Sequence, residues 1–333
     1  MRNRWTVRTA LTLTALAALT ACSSASGNEE AVREDGTVDL SKVTLRVGDQ
    51  KGGSEALLKA AGEDARLPYK VSWHSFTSGP PLLEALNAGA IDLGGVGNTP
   101  PLFAAAAKSK ITVVSGATMG GKGDAIVVPQ DSKLTSVAQL KGKKVAVAEG
   151  SSANYNLLAQ LDAVGLSYDD IDVQNLQPAD ALAAFTSGHV DAWAIWDPYT
   201  SQAELESGAR VLADGSGKVN GMTFQAANPE SVDDKATAAA IKDYLGRLAQ
   251  AQIWSNTHRD DWAKVWSEET GLSPAVTTKA VDRRVAKPVK LGAPVVDSEQ
   301  QMADAFADAD LLPNRFDVGD YFTTAFNDTV PAS

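Results

Sequence analysis

The sequence predicts an α/β protein of two similarly built lobes, because strand-like and helical runs alternate, small polar loops join them, and the succession returns about one hundred residues later. The first strand is expected over 43–47, where Val-Thr-Leu-Arg-Val alternates apolar and polar side chains. The polar stretch 48–54 follows, and a helical run opens at Glu55. A second strand over 69–76 leads into Thr77-Ser78-Gly79-Pro80-Pro81, whose prolines suit a helix N-terminus, with the helix over 82–87. Residues 91–96 read as a short buried strand, followed by Gly97-Asn98-Thr99-Pro100-Pro101 and a helix from Leu102. Such alternation builds a mainly parallel sheet covered by helices.

The second unit answers the first in order. Val47 and the pair Leu57-Leu58 recur as Val147 and Leu157-Leu158, with Glu149-Gly150-Ser151-Ser152-Ala153-Asn154 in place of the first polar loop. At an offset of 99, Leu83, Leu86, Gly89, Asp92, Gly97 and Asn98 fall on Leu182, Phe185, Gly188, Asp191, Trp196 and Asp197 without a gap. Ligands of open α/β sheets bind outside the carboxyl ends of the strands, so the loops at Gln50, Ser78, Asn98, Ser151 and Trp196 should face one cleft. Helices that start there would aim backbone N–H groups and positive helix ends at the ligand, which favours an anion.

At 333 residues the chain suits one long α/β unit or two lobes. Thirty basic against 41 acidic residues give a net charge of −11, which argues against general affinity for nucleic acid but leaves room for a local anion site. The three histidines, His74, His189 and His258, are far apart and show no metal-ligand spacing, so no metal is expected and they read as structural or surface residues. No GxSxG, P-loop or dinucleotide fingerprint is present, and no cofactor is expected.

The N-terminus reads as an export signal. Arg2, Arg4 and Arg8 precede an uncharged run from Thr9 to Ala21 that is too short to span a membrane. Leu19-Thr20-Ala21-Cys22 resembles the lipobox of bacterial lipoproteins, which implies cleavage after residue 21 and lipidation of Cys22, the single cysteine of the chain. Loss of residues 1–21 removes three arginines and no acid, leaving the mature chain more acidic still. Residues 22–42 are expected to be the lipidated cysteine and a flexible tether, since 23–39 are rich in Ser, Gly and Glu.

Four segments carry a family resemblance: Lys51-Gly52-Gly53-Ser54, TSGPPLLEALNAGAIDLGGVGNTPPLF over 77–103, LKGKKVAVAEG over 140–150 and VDAWAIWDP over 190–198. They resemble the substrate-binding proteins of sulfonate, taurine and nitrate ABC importers, and the aliphatic-sulfonate branch is most similar. The resemblance implies a type II periplasmic-binding-protein fold, two lobes with a hinge and an interlobe ligand cleft. Lobe 1 would span 43–128 and 226–333, and lobe 2 would span 129–225, with crossings near 126–129 and 224–226. Helical stretches at 235–256 and 260–270 would support lobe 1, with Trp254, Trp262 and Trp266 as packing residues.

Carried over by motif, the ligand-binding residues would be Gln50, Ser78, Gly79, Asn98, Thr99, Ser151, Ser152, Trp196 and Asp197. Hydroxyls and backbone N–H groups of Ser78, Gly79, Thr99, Ser151 and Ser152 can donate to sulfonate oxygens, and Trp196 offers an apolar face to an alkyl chain. Asp197 would pair with a ligand amine or cap the helix that opens at Pro198. The resemblance implies a monomeric, membrane-tethered receptor that closes on a small organic anion, an alkanesulfonate first, and delivers it to an ABC permease and its ATPase. Taurine, nitrate, bicarbonate and a thiamine-pyrimidine precursor are the alternatives. Related folds also include enzymes, among them sulfinate-cleaving ones that use a cysteine, but an enzyme is not the expectation.

Overall fold

A computed structural model describes residues 27–332. The export signal and Cys22 lie outside the described residues. Two sheets form the frame. In the first unit, β1 (Thr44–Gln50), α1 (Ser54–Ala60), β2 (Lys70–Phe76), α2 (Gly79–Asn87), β3 (Leu93–Gly97) and α3 (Pro100–Ala106) follow the expected order, and β1 lies parallel to both β2 and β3. β4 (Thr112–Thr118) then leads out to β5 (Ala125–Pro129), the first strand of the second sheet.

The second unit repeats the first with β6 (Lys144–Val147), α4 (Ser152–Asp162), β7 (Asp172–Asn175), α5 (Pro178–Thr186), β8 (Ala192–Ile195) and α6 (Tyr199–Glu206). β9 (Ala209–Asp214) ends it, and β10 (Met222–Ala227) returns to the first sheet. The chain closes with α7 (Pro229–Asp233), α8 (Lys235–Ser255), α9 (Arg259–Thr270), α10 (Pro274–Asp282), β11 (Lys287–Val289) and α11 (Ala293–Asp308). The strand orders are β11-β4-β10-β3-β1-β2 and β7-β6-β8-β5-β9. In each sheet, the strand arriving from the other lobe, β10 or β5, enters antiparallel beside the third strand of the repeat.

Two expectations are corrected. The crossings lie at 119–124 and 215–221 rather than near 126–129 and 224–226, because β5 already pairs with β8 and β9 while β10 already pairs with β3 and β4. Runs of extended apolar residues belong inside a sheet, and the glycine-rich stretches beside them make the crossing. There the two passes run side by side: Met119 N–H donates to the Gly221 carbonyl at 2.7 Å and Gly215 N–H to that of Asp124 at 2.8 Å. A Cβ on Gly121 or Gly215 would stand 2.5 or 2.7 Å from the other's carbonyl oxygen, so only glycine permits the approach.

The second correction concerns the tether. From residue 28 the chain packs against lobe 1: Asn28, buried, donates to Thr237 Oγ1 at 2.9 Å and accepts from Thr44 N–H at 3.0 Å. Ala31 is buried in the lobe 1 core and Val32 bridges Val38. The few apolar side chains in a polar segment were enough to dock it.

Each sheet is sealed on both faces. On lobe 1, Leu45, Val47 and Leu58 pack with Tyr244, Trp262 and Trp266 on one side, and Leu82, Leu86, Val96 and Phe224 fill the other. On lobe 2, Val145, Val147, Leu157 and Leu161 form one layer, and Phe185, Trp193 and Ala203 the second. Trp262 and Trp266 are buried and stack with centroids 5.0 Å apart, whereas Trp254 is partly buried and stacks on the exposed His258. His74 and His189 are exposed as well.

Candidate ligand site

Between the lobes lies a cavity of about 210 Å³, walled by the carboxyl ends of the strands, both crossings and the C-terminal helices. Of the nine residues expected to bind ligand, six line it: Gln50, Gly79, Ser151, Ser152, Trp196 and Asp197. Gly79 and Ser152 are the first residues of α2 and α4, so two helices present their positive ends to the cavity. The α1 terminus is already neutralised from within. Both carboxylate oxygens of buried Asp49 accept backbone N–H bonds there, from Ser54 and Glu55, each at 2.9 Å. Burial pushes the Asp49 carboxyl up to about 6, against the pull of those bonds.

The other three expected residues are occupied elsewhere. Ser78 Oγ donates to Gln177 Oε1 at 2.8 Å, a bond from lobe 1 to lobe 2. Asn98 Nδ2 donates to Asn220 Oδ1 at 2.7 Å, tying the third loop to a crossing, and Thr99 Oγ1 donates to Asn98 Oδ1 at 3.1 Å. All three are buried, and none lines the cavity. A polar residue at a strand end is as useful for fastening loops as for holding a ligand, and its sequence does not distinguish the two uses.

One carboxylate oxygen of Asp197 fastens a helix and the other is left unpartnered at the cavity. Its Oδ1 accepts from Ser201 N–H at 3.0 Å and Ser201 Oγ at 2.6 Å, fastening the first turn of α6, which opens at Tyr199 rather than Pro198. Its Oδ2 is buried at the cavity wall with no hydrogen-bond partner among the described residues. Burial raises its pKa, opposed by the nearby Arg283 and Arg284 guanidinium groups. Trp196 stands edge-on to Tyr199, whose ring receives Lys51 Nζ at 5.6 Å from the opposite lobe.

Sequence reasoning missed the residues that set the charge of the cavity. Arg284 follows α10, places its guanidinium 4.7 Å above the Trp266 ring and donates one bond, from Nη2 to the Asp197 carbonyl at 3.0 Å. Burial lowers its pKa, and Asp197 and Asp124 oppose that. Asp124, on the first crossing, accepts from Ser152 Oγ at 2.7 Å, and burial pushes its carboxyl up to about 6. Leu57, Leu248, Trp262, Val281 and Ala286 add apolar wall, and Gln252 and Ser255 add polar groups from α8. A planar guanidinium with spare donors, two helix starts and an apolar wall form a receptor for an amphipathic anion. No group of three or more His, Cys, Asp or Glu suited to a metal ion is found among the described residues.

Comparison with known proteins gives the family and the fold. The NMT1-like family matches residues 55–267. A putative aliphatic sulfonates-binding protein of Escherichia coli (strain K12) is 38% identical over 84% of this chain and 88% of its own. The alkanesulfonate-binding protein SsuA from Xanthomonas axonopodis pv. citri, solved bound to MOPS, is 39% identical with a TM-score of 0.79, over 84% of this chain and 98% of its own. More distantly, the desulfurization enzyme DSZB is 15% identical with a TM-score of 0.61, over 86% of this chain and 98% of its own, a likeness of fold alone.

Proposed function

Because the chain belongs to the NMT1-like family and has the two-lobed periplasmic-binding-protein fold, we propose that it is the solute-capturing component of an ABC importer, closing on an aliphatic sulfonate. The observation that carries this reading is Arg284: a partly buried guanidinium with donors to spare, at the wall of a cavity that two helices enter by their positive ends. A sulfonate spreads one charge over three oxygens, which accept from Arg284 and from the N–H groups at Gly79 and Ser152, while Trp196 and the aliphatic wall take the alkyl part. Lobe closure follows from contact with both walls, because only a ligand held more tightly in the closed form can shift the equilibrium.

A second reading has its own support. The unpartnered Asp197 Oδ2 and the singly bonded Asp124 place negative charge beside the sulfonate donors, within reach of an ammonium on a short chain, which suits an aminosulfonate carrying both charges. The chain is exported and held at the membrane by a lipid on Cys22, as the Leu19–Cys22 segment resembles a lipobox. It acts as a monomer that presents the closed form to a permease and its ATPase, and it performs no chemistry on the ligand.

Titration calorimetry against ethanesulfonate, taurine, nitrate, bicarbonate and a hydroxymethylpyrimidine tests the reading, after unfolding and refolding to strip bound ligand. One-to-one binding of ethanesulfonate, recovered unchanged after prolonged incubation, is expected. Binding of nitrate or the pyrimidine with no sulfonate bound would overturn the substrate. A chemically altered ligand would overturn the receptor.

A further inference from the structure

α10 packs on α9 within lobe 1, yet it also meets α6 of lobe 2. Glu204 on α6 accepts from Lys279 Nζ at 3.2 Å through Oε1 and from the Arg283 guanidinium through Oε2. Arg283 Nη1 also lies 3.4 Å from Asp197 Oδ1 and 3.3 Å from Ser201 Oγ. At the other end of α10, Ser273 Oγ donates to Glu206 Oε1 at 2.7 Å. The Glu204 and Arg283 side chains are only 15% and 16% exposed, so this cluster is not one of the solvent-screened surface pairs that contribute little. Neither Glu204, Lys279 nor Arg283 lines the cavity, but the next residue, Arg284, does.

We propose that Glu204, Arg283 and Lys279 form a latch between the lobes, favouring the closed arrangement through contacts that never touch the ligand. The adjacent residues Arg283 and Arg284 then link the two events: an anion drawn to Arg284 holds the start of the 283–286 segment in place, and that placement brings Arg283 onto Glu204. These are positioning residues. The inference rests on the reading that the lobes open and close on a ligand, but not on which ligand.

Loss of Glu204 leaves the mostly buried Arg283 with only its longer contact to Asp197 at the lobe interface, so its removal should act on closure. The test compares the full chain with E204Q and E204K by hydrogen exchange without ligand, read at 79–87 and 152–162 on the far side of the cleft. With ethanesulfonate, association and dissociation rates are measured at low and high salt. E204K is expected to speed exchange at both far walls and to speed dissociation about tenfold with association little changed, most strongly at low salt where the introduced ammonium repels Arg283 and Lys279 unscreened, with E204Q smaller in the same direction. Exchange changes confined to 199–206 and 274–282, or far-wall exchange and affinity equal to wild type in both variants, would overturn the latch. If ethanesulfonate fails to bind the wild type while E204K still exposes both far walls, the sulfonate assignment falls and the latch stands.

Discussion

Asp92 and Asp191 stand at the same station of the two lobes, three residues beyond a left-handed glycine, Gly89 in one and Gly188 in the other. Each makes the same pair of bonds to the first strand of its unit. Asp92 N–H donates to the Arg46 carbonyl and Asp92 Oδ2 accepts from Arg46 N–H, both at 2.8 Å; Asp191 does the same with Lys144, at 2.8 and 2.9 Å. There the likeness ends. Asp92 is fully buried, holds the Arg46 guanidinium through both oxygens and accepts from Ser231 Oγ at 2.8 Å, whereas Asp191 is exposed. The C-terminal segment that returns to lobe 1 covers the first copy and leaves the second in solvent. An identical local device thus becomes a structural pin in one lobe and a modest strand clasp in the other, and only long-range packing decides which.

The sharpest way to break the comparison is to delete both acids. Asp92→Ala strips the half-buried Arg46 guanidinium and the buried Ser231 hydroxyl of their acceptor and is expected to cost about 2–3 kcal/mol in denaturant unfolding, with Asp191→Ala much milder. Equal losses would mean that the local bonds, not the covering segment, carry the energy.

The two walls of the cleft differ in the same way, and ligand affinity sharpens that. Arg284→Met should weaken ethanesulfonate binding about 100-fold, since it removes a charge-assisted anchor. Ser78→Ala, whose hydroxyl is bonded to Gln177 and not to the cavity, should cost about 1 kcal/mol or less. Calorimetry on both variants decides between an anchor in the C-terminal segment and one in the loop motifs.

A smaller effect separates the two ligand readings. Burial holds the Asp124 carboxyl up at about 6, so raising pH from 5 to 8 places a negative charge beside a bound anion. An alkanesulfonate favours the protonated form, and its affinity should fall by about tenfold over that interval, while Asp124→Asn abolishes the fall and keeps the tighter value. An aminosulfonate should show the opposite sign, gaining affinity as Asp124 ionises. Asp49 titrates near the same pH with both oxygens bonded to the α1 terminus, and burial also raises Asp197, so a pH response that survives Asp124→Asn would point to one of these two acids. Smallest of all, Trp196→Ala should flatten the gain in affinity along a series of longer alkanesulfonates, removing up to about 0.8 kcal/mol per methylene.

How much of this was legible in the sequence follows from where each signal resides. The strand-loop-helix repeat is local and periodic, so Val47 with Val147 and Gly89 with Gly188 revealed both lobes before any contact was known. The motif loops brought Gln50, Gly79, Ser151, Ser152, Trp196 and Asp197 to the cavity wall, because strand ends in an α/β sheet have nowhere else to point. Ser78, Asn98 and Thr99 carried the same polar signal and proved to be fasteners, since burial is set by partners such as Gln177 and Asn220 more than 90 residues away. Arg284 has no motif around it, and Asp124 sits in a crossing that lies a few residues before the extended apolar run that signals it. The docking of Asn28 and Ala31 was hidden in a segment whose composition is that of a linker.

The side-by-side crossings also order the events of self-assembly. Every strand of the second sheet comes from one unbroken stretch, 125–214, whereas the first sheet lacks its inner strand β10 until the chain has passed through all of that stretch. The lobe encoded in the middle of the chain is therefore free to close first, and the lobe begun before it waits, unfinished, for a strand delivered from beyond it. Pulse-labelled amides in β5–β9 should gain protection before those of β3 and β4, and a graft of the second half from a relative should succeed only when both glycine passes travel with it.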